Sequence, residues 1–202
     1  MTAKSYATGS LPKKKESVRQ LILSETARAL NEGGPERTSL IGVMSRVGRT
    51  HGGFYLHFKS KEDLVHSAID HMLKISRERL NSFVVGVPAE EALNNYLKFY
   101  LSMRHVADFN SGCCLPSLAN DVGRMSPEAK KRVMTGVSAV KHVIATLLEK
   151  IGLNSTSAAV TAHSIFVEMI GAVTLARAAD IPEQAREMLA QSLASIQQRI
   201  KP

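Results

Sequence analysis

Apolar residues recur at helical spacing along almost the whole chain. After Lys13, the positions Val18, Leu21, Ile22 and Ala29 predict a first helix, which Gly33, Gly34 and Pro35 stop. Thr38 or Ser39 can cap a short second helix reaching about Val47, with Gly48 as its turn residue. Thr50 can cap a third helix reaching Phe58, and Ser60-Lys61-Glu62-Asp63 has the form of a capping box that opens a long fourth. A loop is expected over Asn81 to Pro88, and then Leu93, Tyr96, Leu97, Tyr100 and Leu101 trace the buried stripe of a fifth helix. Asp108 to Pro116 is a Gly, Cys and Pro interruption before a short apolar helix around Leu118 to Val122. Ser126-Pro127-Glu128 opens the next helix, apolar at Val133, Val137, Val140, Ile144, Leu147 and Ile151 and ended by Gly152. Ser155 to Ala178 and Ile181 to Lys201 are the last two. No strand-like alternation or internal repeat occurs, so the expected fold is all-α with about nine helices.

The penultimate helix is apolar on more than one face, with Val160, Ile165, Phe166, Val167, Met169, Ile170, Val173 and Leu175. Such a helix is either central or shared between its own core and another subunit. Small residues at Gly171, Ala172, Ala176 and Ala179 would admit a close partner, so a homodimer through the last two helices is expected. Thr161, His163, Ser164, Glu168 and Thr174 interrupt the stretch and make it a poor membrane span. No apolar leader precedes Lys13, and no membrane association is expected.

Composition changes this picture little. With 202 residues, 44% hydrophobic and 22% charged, the chain has enough apolar material for a real core. Its two cysteines, Cys113 and Cys114, are adjacent and too close for an ordinary disulfide, which fits a reducing cytoplasm. Charge is more telling. Residues 1–61 hold eleven Lys and Arg against four Glu, a balance of +7, while the remainder holds 15 basic and 14 acidic groups. A basic N-terminal third beside a neutral remainder is the footprint of a module that meets a polyanion, or else a solvated basic face. Lys13, Lys14 and Lys15 could add phosphate contacts or be a solvated tail.

Catalysis and metal binding find little support. His105 with Asp108 is the only pair in sequence near the cysteines that could serve a thiol nucleophile. His66, Asp70 and His71 offer at most two ligands on one helical face, and no Gly-rich phosphate loop or serine elbow is present. No catalytic, metal or cofactor residues are expected.

The stretch from Thr38 to Leu64 reads as a helix, a Gly-centred turn and a second short helix, the arrangement of a helix-turn-helix. Gly52-Gly53-Phe54-Tyr55, Phe58 and Ser60-Lys61-Glu62 resemble the N-terminal signature of the TetR family of bacterial transcriptional regulators. Val43, Val47, Phe54 and Phe58 are core positions. Gly52 and Gly53 each cost about 1 kcal/mol of helix propensity relative to Ala, which close approach of backbone to DNA would explain. Base contact then falls to His51, Tyr55 and His57, with Thr50 at the helix N-cap beside a phosphate. The resemblance implies contacts for Tyr55, His57 and Lys61, and Thr38, Ser39, Arg49 and Lys59 complete the DNA-facing set. Arg49 and Met44 depart from the family pattern, which has a small apolar residue and Ala at these two places.

The resemblance implies a DNA-binding domain over residues 1–61 and a helical effector-binding and dimerisation domain over 62–202. It further implies a homodimeric repressor that reads a pseudo-palindromic double-stranded operator and leaves it when a small molecule binds. A sequence-independent DNA binder without an effector is the alternative. Candidate pocket walls are Tyr96, Phe99, Tyr100, Met103, Phe109, Phe166 and Met169, although such a stripe is more often plain core. Ser111 to Pro116 resembles the branch of the family that includes the N-ethylmaleimide-responsive repressor, in which a cysteine reacts with electrophiles. Cys113, by position, or Cys114 would then be the sensor, its thiol pKa lowered beside a helix N-terminus, unless both are buried thiols that pack as small hydrophobes.

Overall fold

The computed structural model describes residues 11–108 and 113–200, with side chains from residue 17 onward. Phe109 and the side chains of Lys13, Lys14 and Lys15 therefore lie outside the described residues. Among those described, the fold is wholly helical: α1 (Leu11–Arg37), α2 (Leu40–Arg46), α3 (His51–Phe54), α4 (Lys61–Val84), α5 (Ala89–Tyr100), α6 (Met103–Ala107), α7 (Leu115–Val122), α8 (Pro127–Ile151), α9 (Ser155–Ala178) and α10 (Pro182–Arg199).

The expected stops and caps are used. α1 breaks at Gly34, whose φ of 72° and ψ of 178° lie outside the helical region. A side chain there would also collide with Asp121 of α7, since a Cβ would sit 2.6 Å from its Oδ2. Ser60 Oγ accepts the N–H of Asp63 at 3.1 Å, and Asp63 Oδ2 accepts the N–H of Lys59 at 2.9 Å. The box thus closes one residue earlier than the usual reciprocal pairing, and it sets the start of α4. Ser126 caps α8, and Gly152 ends it in the left-handed region with φ 119°; Asn154, not singled out by the sequence pattern, caps α9.

The structure differs from expectation in three places: α3 stops at Phe54 and the chain continues to Phe58 as a turn, whereas the sequence predicts a helix reaching Phe58. α4 continues past Leu80 to Val84, because Phe83 packs its ring on Tyr96 and Phe99, with centroids 5.9 and 5.5 Å away. Tertiary contact there outweighs the weak local signal. The additional helix is α6, a single turn opened by Ser102 Oγ, which accepts the N–H of His105 at 3.2 Å.

One apolar core runs through the molecule, from Ile22, Leu23 and Leu30 in α1, through Phe54, Leu64 and Ile69, to Leu97, Leu118, Ile144 and Met169. α9 packs along α8 and α10, and α4 ties α1 to α8. His66 Nε2 and Ser126 Oγ, 3.0 Å apart, and an Arg132–Asp70 ion pair join α4 to α8. By length and composition α9 could cross a membrane, and it leaves Val160, Val167 and Leu175 exposed.

Candidate nucleic-acid interface

Helices α1 to α3 and the start of α4 form a small basic head. Phe54 and Phe58 are buried and stacked at 5.7 Å, and with Val43, Met44, Ile22 and Leu64 they hold the recognition segment against α1. Burying two such rings contributes several kcal/mol, on the order of 2–3 each. Met44 is 1% exposed, so the larger residue is taken into the helix crossing. Arg19 lies over the outer face of Phe58 at 5.0 Å.

The head also fixes which charges are spent internally. Arg46 reaches Glu25 at 2.9 Å, and Arg28 grips Glu25 and Glu32. The Arg28 guanidinium, helped by Arg46, holds the Glu25 carboxyl below the usual carboxylate range. Arg49, Lys59 and Lys61 are exposed instead.

His51 and Tyr55 share one flank of the recognition segment, their rings edge to face at 5.8 Å, and Tyr55 is 63% exposed. Thr50 Oγ1 caps α3 by accepting the N–H of Gly53 at 3.4 Å, and Ser39 Oγ caps α2 by accepting that of Gly42 at 3.3 Å. His57 is half-buried. Thr38 needs correcting as a candidate contact. It is 2% exposed and its hydroxyl donates to the Gly34 carbonyl at 2.8 Å, so it closes the break in α1.

Gly52 and Gly53 are informative because the fold does not require them. Neither is among the glycines with positive φ. A Cβ on Gly52 would meet nothing within 4 Å, and one on Gly53 would meet only ordinary contacts with Thr50 and Met44, at 3.7 and 4.0 Å. Their helix-propensity cost of about 1 kcal/mol each therefore has no internal compensation. Leu56, which the sequence pattern did not single out, is 69% exposed. Its position opposite Phe54 and Phe58 on a helical wheel could have marked it.

In the other half the structure gathers Tyr96, Phe99 and Tyr100 with Ser76, Arg79, His105 and Cys113 around a cavity of about 10 Å³, room for roughly one water. Met103, Phe166 and Met169 do not line it. Phe166 and Met169 are instead buried core. His105 Nε2 accepts the N–H of Cys113 at 2.9 Å, so the ring proton belongs on Nδ1, which donates to the Tyr100 carbonyl at 2.7 Å. Arg177 of α9 donates from Nε to the Val106 carbonyl, from Nη1 to Ser117 Oγ and from Nη2 to the His105 carbonyl, pinning α6 and α7 together. Burial pushes both cysteine thiols up rather than down, and Cys114 at the α7 N-cap makes no side-chain cap bond. Desolvation outweighs the helix terminus here.

Comparison with known proteins places the head. Residues 22–68 match the description "Bacterial regulatory proteins, tetR family". The HTH-type transcriptional regulator YerO of Bacillus subtilis (strain 168) is 29% identical over 82 residues, 39% of this chain and 28% of that protein. The match thus spans under a third of that relative's length. Among solved structures, a TetR transcriptional regulator from Legionella pneumophila superposes with a TM-score of 0.78 at 20% identity, covering 96% of this chain and 100% of that one. Reduced Escherichia coli NemR gives 0.78 at 17% identity, covering 90% and 96%. Bacillus subtilis FadR, solved with stearoyl-CoA, gives 0.67 at 17% identity, covering 90% and 97%. At these identities the likeness establishes the shared fold.

Proposed function

The N-terminal part of the chain belongs to the tetR family of bacterial regulatory proteins, and from that premise we propose a sequence-specific, homodimeric repressor whose paired heads read a pseudo-palindromic operator. The observation that carries this reading is the pair Gly52 and Gly53, glycines that neither backbone nor packing requires, on the open side of a basic helix-turn-helix. Ser39, Arg49, Thr50, His51, Tyr55, Lys59 and Lys61, all exposed, and half-buried His57 would supply the phosphate and base contacts of this reading. Residues 1–61 act as the DNA-binding unit, and 62–202 as the effector-binding and dimerisation unit, in the cytoplasm.

Val160, Val167 and Leu175 fall on one side of α9 with Gly171 between them, and this uncovered apolar strip supports pairing through α9 and α10. Tyr96, Phe99 and Tyr100 gather beside Cys113, and an effector bound there would have to open the space well beyond its present volume of about 10 Å³. The raised thiol pKa argues against a sensor that relies on a standing thiolate.

The test is binding of the full chain to the DNA flanking its own coding region, at two salt concentrations, against scrambled duplex. Selective binding supports the operator reading. Equal binding to scrambled DNA, with a steep salt slope, supports a sequence-independent binder instead.

A further inference from the structure

Resting on the DNA-binding reading, we infer that the outward face of the recognition segment, made of Gly52, Gly53 and Leu56, is an apolar seat for thymine methyl groups, with Leu56 as its specificity-determining side chain. Backbone bonds continue a tightened turn past α3: the N–H of Leu56 donates to the Gly53 carbonyl at 3.4 Å, and those of His57 and Phe58 to the Phe54 carbonyl at 2.9 and 3.1 Å. Successive side chains therefore point about 100–120° apart, and anywhere in that range Leu56 lies about 180° from the midpoint of the buried Phe54 and Phe58. Gly52 and Gly53 flank it, while His51 and Tyr55 lie to one side and His57 to the other.

The most outward-facing side chain of the segment thus carries no hydrogen-bonding group, and the space over Gly52 is open. An exposed leucine in a head of charge +7 over residues 1–61 faces a polyanion. The major groove offers one apolar group to meet it, the thymine C5 methyl. Hydrogen-bond reading is left to the flanks, and methyl reading to the centre.

The test starts from duplexes that the full chain selects out of a random-sequence pool. The selected duplex is resynthesised with uracil in place of thymine at one position at a time, which removes only the methyl. At one position in each half-site the wild-type protein should bind the uracil duplex about fourfold more weakly, the worth of one buried methyl. Leu56→Ala, at an exposed position, should keep the fold by circular dichroism and bind the thymine and uracil duplexes equally. Selection of no sequence would overturn the operator reading and this inference with it. Selective binding with no uracil effect at any position, or a uracil effect unchanged in Leu56→Ala, would overturn this inference alone.

Discussion

The two candidate sites are built on opposite terms. On the outer face of the head, Gly52 and Gly53 perform no internal task that would demand them and weaken the helix they sit in, and Tyr55 and Leu56 stand exposed beside them. Beside the interior cavity His105 and Arg177 are tied to the fold: His105 holds the Tyr100 carbonyl and the Cys113 backbone, and Arg177 holds His105, Val106 and Ser117. Function at the first site can be separated from stability by mutation. At the second the two are entangled, because the groups that line it also carry the packing of α6 and α7.

The largest expected effect lies under the head's outer face. Phe54→Ala should remove about 3–5 kcal/mol of stability, read as a fall in the denaturation midpoint, because a fully buried ring leaves a cavity. A loss below about 1 kcal/mol would mean that the head is not held as described. In the interior, Arg177→Leu removes three donated bonds from a half-buried cation and should cost about 2–3 kcal/mol. Wild-type stability in that variant would break the claimed entanglement.

His105 sharpens the comparison through pH. Burial depresses its folded-state pKa below the ordinary 6.5, so below that value the unfolded chain binds a proton that the folded chain resists. Its contribution is complete above 6.5 and is lost as pH falls toward the depressed value. His105→Phe should flatten the decline of stability between about pH 7 and 5, with His71, depressed by its own burial, retaining part of it. An unchanged slope would show that His105 does not stay neutral in the folded protein.

The smallest effect concerns exposed charge. Lys61→Ala should leave stability within about 0.5 kcal/mol, weaken binding to all duplexes alike, and reduce the salt slope by about 1. A change confined to one sequence would reassign Lys61 from phosphate to base.

How far the sequence alone reached follows the same division. Helix starts with a side-chain cap were largely legible, since Ser39, Thr50, Ser60 and Ser126 act through bonds to residues three positions away. The end of α4 and the whole of α6 were not, because the Phe83 rings and the burial of His105 depend on α5, α7 and α9. Tyr55 and the glycines were legible as a motif. Thr38 was misjudged because its burial follows from the Gly34 break, and Leu56 was passed over although the spacing from Phe54 and Phe58 already turned it outward. The cysteines looked activated by a helix terminus, and only packing reveals that desolvation dominates.

The central claim is that the outer face of the head is kept for contact with DNA and not for folding. Gly52→Ala tests it most directly, with thermal stability and affinity for a selected duplex measured on the same preparation. The account predicts a head stabilised by about 1 kcal/mol that binds DNA at least tenfold more weakly, because the new methyl occupies space that is open in the free protein. Undiminished DNA affinity in a stabilised variant would contradict it.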